Sequence, residues 1–174
     1  MSQKNNKTVS ARRFLSLMTS DRPLFSGAHK LQFLVLAQAV YGLLWLEGAS
    51  WKVIVDGRLA LNYDGLAYWA SRGSEFPVLG AYKWLLDSII LPNIELFLPV
   101  VFLVELTIGL LFVTGKFVRI AAAMAIMQTL AITLSVLNAP HEWKWSYFLM
   151  LLVAVIFFVM PTTSTWPNKL LRRT

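Results

Sequence analysis

The chain has 174 residues, 57% of them hydrophobic and only 14% charged, with a net charge of +7 and no cysteine. Soluble domains carry about 25% charged residues, so a surface that faces water all round is excluded, and a mean hydropathy of +0.60 agrees. Without cysteine there is no disulfide, no thiolate metal site and no cysteine nucleophile, and with His29 and His141 as the sole histidines a two-histidine haem is hard to build, so neither metal nor haem is expected in the chain.

Residues 1–30 read as a basic, polar arm. No apolar run occurs before Lys30, so no cleavable leader is expected and insertion rests on the first span. Within the arm, Ala11 to Met18 mixes basic and apolar residues; it reads either as a segment lying in the membrane interface or as an ordinary tail. A hydrocarbon core of about 30 Å needs about 20 mostly apolar residues per helix. Four stretches approach this, at about 31–49, 89–113, 117–137 and 145–160. Pro161 ends the last of them. Gly115 marks a turn between the second and third, and Asn138-Ala139-Pro140 a turn between the third and fourth. Residues 162–174 form a second basic tail.

Between the first two spans, residues 52–88 are mixed in polarity and hold Tyr63, Tyr68, Trp69, Phe76, Tyr82 and Trp84. Asp64–Ala70 and Val78–Asp87 can each be drawn as a short amphipathic helix. Tyr and Trp concentrate where membrane meets water, so this loop is expected to cap the bundle at the interface. The fold class expected is therefore all-α: an integral membrane four-helix bundle in a lipid bilayer, residues 31–161, with an aromatic loop after its first helix.

Orientation follows from the basic residues. Lys4, Lys7, Arg12, Arg13, Arg22 and Lys30 lie in the arm, Lys116 and Arg119 in the turn after the second span, and Lys169, Arg172 and Arg173 in the tail. Four spans place these eleven on one side and five, Lys52, Arg58, Arg72, Lys83 and Lys144, on the other. The positive-inside rule makes the richer side cytoplasmic. Both termini are then cytoplasmic, in the cytoplasmic membrane of a prokaryote, and the basic charge reflects topology rather than nucleic-acid binding.

Ionisable groups inside spans are expensive and point to function. Glu47 and Glu95 are expected at similar depth near the outer ends of the first two spans. With Lys52, His141 and Glu142 they can converge on one outward pocket walled by Trp51, Trp143 and Trp145. Carboxylates, a histidine and flat aromatics near the lipid interface suit a quinone, whose carbonyl oxygens need proton donors. Glu47, Glu95, His141 and Glu142 are the candidate catalytic residues, and Lys52 with the three tryptophans the candidates for quinone binding. Glu105 lies ten residues past Glu95, about 15 Å deeper, with Gln128, Thr129 and Thr133 as candidate partners and Arg119 as a second option. Structural alternatives stand beside each: Glu95 snorkelling to water, Glu47 pairing with Lys52, Glu105 in an interhelical hydrogen bond, His141 as a solvated turn residue, and the tryptophans as interface anchors.

Three stretches resemble the DoxX/DoxD family of small four-helix membrane proteins: Gly42-Leu43-Leu44-Trp45-Leu46-Glu47-Gly48-Ala49-Ser50-Trp51-Lys52, Glu105-Leu106-Thr107-Ile108-Gly109-Leu110-Leu111-Phe112-Val113-Thr114-Gly115, and Trp143-Lys144-Trp145-Ser146-Tyr147-Phe148. The last is most similar to the DoxD branch. The resemblance implies a membrane subunit of thiosulfate:quinone oxidoreductase, with quinone as substrate and at least one further protein subunit. The residues themselves leave two other functions open: a non-catalytic anchoring subunit of a larger membrane complex, and a small proton-coupled transporter using Glu105 and Glu95.

Overall fold

The computed structural model describes the backbone of residues 27–160 and the side chains of residues 32–160. The expectations for the arm before Gly27 and for the tail after Met160 lie outside the described residues. The chain divides into two compact units, residues 1–34 and 35–174; of the first, the opening turns of one helix are described.

That helix, α1, runs Gly27–Ser50. Its buried positions include Gln38, Tyr41, Gly42, Trp45 and Ala49, while Leu36, Val40, Leu43 and Leu44 are exposed. The buried set recurs every three or four residues, so it occupies one face. Leu36, Val40, Leu43 and Leu44 thus give α1 an aliphatic outer face, the arrangement a lipid environment selects. After α1 the chain makes a small antiparallel hairpin, β1 (Ile54–Val55) with β2 (Arg58–Leu59), paired Ile54 to Leu59 and Val55 to Arg58. Asp56 and Gly57 turn it with φ of 50° and 73°, the left-handed pair that a two-residue hairpin requires.

The interfacial loop contains two helices. α2 (Tyr63–Glu75) starts where the Asn62 side chain accepts from Gly65 N at 2.9 Å, a conventional N-cap. α3 (Gly80–Leu85) follows Pro77. Here the second span differs from expectation: the helical path does not begin at residue 89. It runs on from α3 through a π turn (Leu86–Ile90) and a 3₁₀ turn (Leu91–Asn93) into α4 (Ile94–Thr114). Pro92 has no N–H to donate, so the regular ladder cannot continue through it, and the wide and tight turns absorb the break. Gly115 ends α4 with φ of 68°, the left-handed position for which glycine carries no steric penalty. α5 (Val118–Val136) and α6 (Lys144–Val159) complete the bundle.

The core joins Tyr41 and Trp45 of α1 to Ile108 and Phe112 of α4, Ala121, Ala122 and Ala125 of α5, and Ala154 and Phe157 of α6. The alanines let helices approach closely. α1 and α4 touch at Gly42 and Gly109: a Cβ on Gly42 would lie 2.9 Å from both Gly109 O and Phe112 Cβ. α2 lies on α5 through Gly73, where a Cβ would come within 2.5 Å of Ser135 O.

Among the described residues three helical stretches, Gln32–Ser50, Gly80–Thr114 and Val118–Val136, are long and apolar enough to cross a membrane, and Lys144–Val159 is a shorter apolar helix. The protein is therefore a multi-pass, all-helical membrane protein in a lipid bilayer, apart from the small hairpin. At 1.5 Å per residue α6 is about 24 Å long, less than the hydrocarbon thickness of about 30 Å.

Candidate functional site

Lys52 is the hinge of the site. Its backbone is fixed by the turn that ends α1, with Lys52 N donating to Ala49 O at 3.1 Å, and by the hairpin return, with Asn62 N donating to Lys52 O at 2.9 Å. Asn62 Nδ2 also donates to Trp51 O at 3.2 Å. Held there, the lysine stem turns inward. Its Nζ donates to Gly48 O at 2.9 Å and to Glu105 Oε2 at 2.5 Å, and it stands 4.3 Å from the Trp51 ring centroid. From α5, Gln128 Nε2 donates to the other carboxylate oxygen, Glu105 Oε1, at 3.2 Å. Lys52 and Glu105 are 4% and 3% exposed. A buried ion pair persists when further hydrogen bonds satisfy its remaining atoms, and Gly48, Gln128 and the indole face supply them. Burial pulls the Lys52 ammonium below the ordinary lysine value, and the Glu105 carboxylate, then Glu47, act in the opposite sense.

This cluster borders a cavity of about 590 Å³ among helices α1 to α6. Leu66, Leu86, Val101, Ile132 and Met150 give it aliphatic walls, and Trp45, Trp51, Trp69, Tyr82, Phe97 and Tyr147 give it flat ones. A second polar pair reaches the same space: Tyr147 Oη donates to Glu142 Oε2 at 2.5 Å. Tyr82 Oη sits 3.0 Å from both Ala131 O and Ser135 Oγ, tying α3 to α5. Tyr82→Phe is expected to lower stability by about 1 kcal/mol, measurable as a small fall in thermal midpoint with the protein otherwise intact. An apolar cavity of this size with a few convergent polar groups is the usual form of a small-molecule site.

The structure brings five of the sequence-derived candidates to this cavity: Trp51, Lys52, Glu105, Gln128 and Glu142. It leaves the others outside. Glu47 is exposed because it lies two residues from Trp45 and from Ala49, on the opposite side of α1 from the buried face. Glu95 is exposed in the first turn of α4, beside the exposed Leu96. His141 is exposed at the tip of the α5–α6 turn, with φ of 67°. Trp143 and Trp145 are 66% and 69% exposed, and Trp145 packs on Phe148 instead. The convergence of all these groups on one pocket is therefore replaced by a smaller set centred on Glu105. Glu105 has the expected amide partner in Gln128, together with Lys52, which the sequence offered as a quinone-binding residue rather than as a partner of Glu105.

The aromatic lining residues not singled out as site members are Trp45, Trp69, Tyr82, Phe97 and Tyr147. Trp45 carried a usable signal, since it lies seven residues after Gln38 and so on the same face of α1 as that polar residue. Among the described residues no group of His, Asp and Glu is placed to hold a metal ion.

Residues 59–138 match the DoxX family model. The match takes in Glu105 and Gln128 but stops short of Lys52 on one side and of Glu142 and Tyr147 on the other. No curated protein and no solved structure matches the chain.

Proposed function

We propose that this protein, whose residues 59–138 match the DoxX family model, is the membrane subunit of a quinone-linked oxidoreductase complex and that its cavity holds the quinone headgroup. The observation that carries the reading is an apolar, aromatic-walled cavity reached by a buried ammonium, a carboxylate and an amide. Flat rings match a flat headgroup, and the Lys52 ammonium is a charge-assisted donor for a carbonyl oxygen. Glu142 and Tyr147 add a second polar group for the same ligand. The orientation proposed is that of the positive-inside rule, with α6 as a fourth crossing and the cavity toward the outer face.

A quinone takes up two electrons and two protons to become a quinol. With no cysteine in the chain, cysteine-ligated iron–sulfur and thiol–disulfide chemistry must come from elsewhere. A partner subunit therefore delivers the electrons, and the DoxD-like entry to α6 favours thiosulfate or another inorganic sulfur compound as their source.

The test uses protein purified with its native partners. Decyl-ubiquinone is titrated against native tryptophan fluorescence, which reports on Trp45, Trp51 and Trp69, and thiosulfate-dependent quinol formation is followed in the same preparation. Lys52→Met/Glu105→Leu, which removes both charges together, is expected to weaken quinone binding about tenfold or more and to abolish turnover while the complex stays assembled. A second reading, an anchoring subunit without catalytic duty, is favoured by the way Lys52 and Gln128 already satisfy Glu105. Intact assembly without quinone binding by the wild-type protein decides for it.

A further inference from the structure

The cavity has walls that are also outer surface. Leu44 of α1 is 58% exposed and Val100 of α4 is 50% exposed, yet both line the cavity. Each belongs to a helix that crosses the membrane, so the surface they expose faces lipid. The two helices touch backbone to backbone at Gly42 and Gly109. Beyond that crossing, toward the hairpin, they are joined by a long side chain instead, the Lys52 stem reaching Glu105. The cavity fills the space between.

Gly48 lies one turn beyond Leu44 and also lines the cavity. A Cβ there would meet one atom within 4 Å, Glu105 Oε2 at 3.8 Å. The space beside Gly48 is thus open, in contrast to Gly42, Gly73 and Gly109, whose missing side chains are required by close neighbours. Glycine inside a helix is less stable than alanine at the same position. Neither packing nor backbone conformation accounts for it here, whereas a clear passage in front of Glu105 does.

Building on the quinone reading above, we infer that the cavity opens sideways into the bilayer between α1 and α4, and that a ligand with an apolar tail enters there and rests with its tail between Leu44 and Val100, passing Gly48. The ligand class this selects is a lipid-soluble molecule with a flat polar head and a flexible hydrocarbon tail, drawn from the membrane rather than from water.

The experiment measures equilibrium binding to the purified complex in phosphatidylcholine nanodiscs, by tryptophan quenching, for a tailless ubiquinone headgroup and for its decyl-tailed analogue. Gly48→Leu and, separately, Leu44→Trp narrow the passage. Each is expected to weaken the decyl analogue about tenfold and the tailless head by less than about threefold. Leu43→Trp/Leu103→Trp, at exposed positions that do not line the cavity, is expected to leave both affinities at the wild-type value. Equal loss of the two ligands, no loss of either, or a decyl-specific loss in the control variant overturns the portal while the headgroup site stands. A wild-type protein that binds neither ligand overturns the quinone reading itself.

Discussion

Lys52→Met is expected to lower the stability of the bundle by about 3–5 kcal/mol, the cost of leaving one member of a buried ion pair without the other. Among the described residues the ammonium is the one cation paired with Glu105, at 2.5 Å, and Gln128 at 3.2 Å supplies a single neutral donor in its place. The carboxylate would then sit almost fully buried between α1 and α4 without a counter-charge. Adding Glu105→Leu removes that charge, and the double variant is expected to recover most of the loss, because an apolar pair of similar volume can replace a buried ion pair at little net cost. Thermal unfolding in detergent, followed for wild type, Lys52→Met and the double variant, reads both values. A double variant no more stable than Lys52→Met would show that the pair is not coupled as the structure has it.

The second large effect is expected at Gly73. A side chain there is forced into the backbone of α5: Cβ alone would lie 2.5 Å from Ser135 O, 2.8 Å from Leu86 Cδ1 and 3.0 Å from Ser135 Cα. Backbone cannot rotate away as a side chain can, so α2 must lift off. Overpacking typically costs about 1–3 kcal/mol, and Gly73→Leu is expected at or above the upper end. α2 also brings Leu66, Trp69 and Ala70 to the cavity, so its displacement opens that wall. Limited proteolysis within residues 52–88 is expected to accelerate in Gly73→Leu and to stay at the wild-type rate in Gly80→Ala, where a Cβ meets nothing within 4 Å. Equal rates in Gly73→Leu and wild type would contradict the packing of α2 on α5.

The long apolar helices were legible because lipid imposes length and hydropathy directly on sequence. Residues 52–88 were legible as helical and aromatic but not in their details. Asp56-Gly57 is a strong hairpin signal, yet it lies between strands of two residues each, too short to register as alternation. The continuity from Gly80 into α4 was hidden by Pro92, which marks a break in a regular helix but not in a path that passes through wider and tighter turns.

The site was partly legible, and for a specific reason. A carboxylate as deep as Glu105 calls for a partner, and Gln128 was within reach of that argument. Lys52 was not. Depth counted along a helix places a residue's Cα, and Lys52 lies past the end of α1. Its partner is 53 residues away along the chain, and its inward direction depends on the hairpin that closes behind it. The same limit explains Glu47, His141, Trp143 and Trp145. Each has the right chemistry and nearly the right depth, but helical phase or a left-handed turn aims it away from the cavity.

The most direct test of the quinone site is photo-crosslinking of the complex with an azido-quinone, with the labelled positions read by peptide mass spectrometry. The account predicts labels on residues around the cavity, on Trp51 to Lys52, on the Leu66 to Ala70 stretch of α2 and on Gln128 to Val136 of α5, all suppressed by excess decyl-ubiquinone. Labels confined to the exposed aromatics Trp143, Trp145 and Phe148, or labels that excess quinone does not suppress, would contradict it.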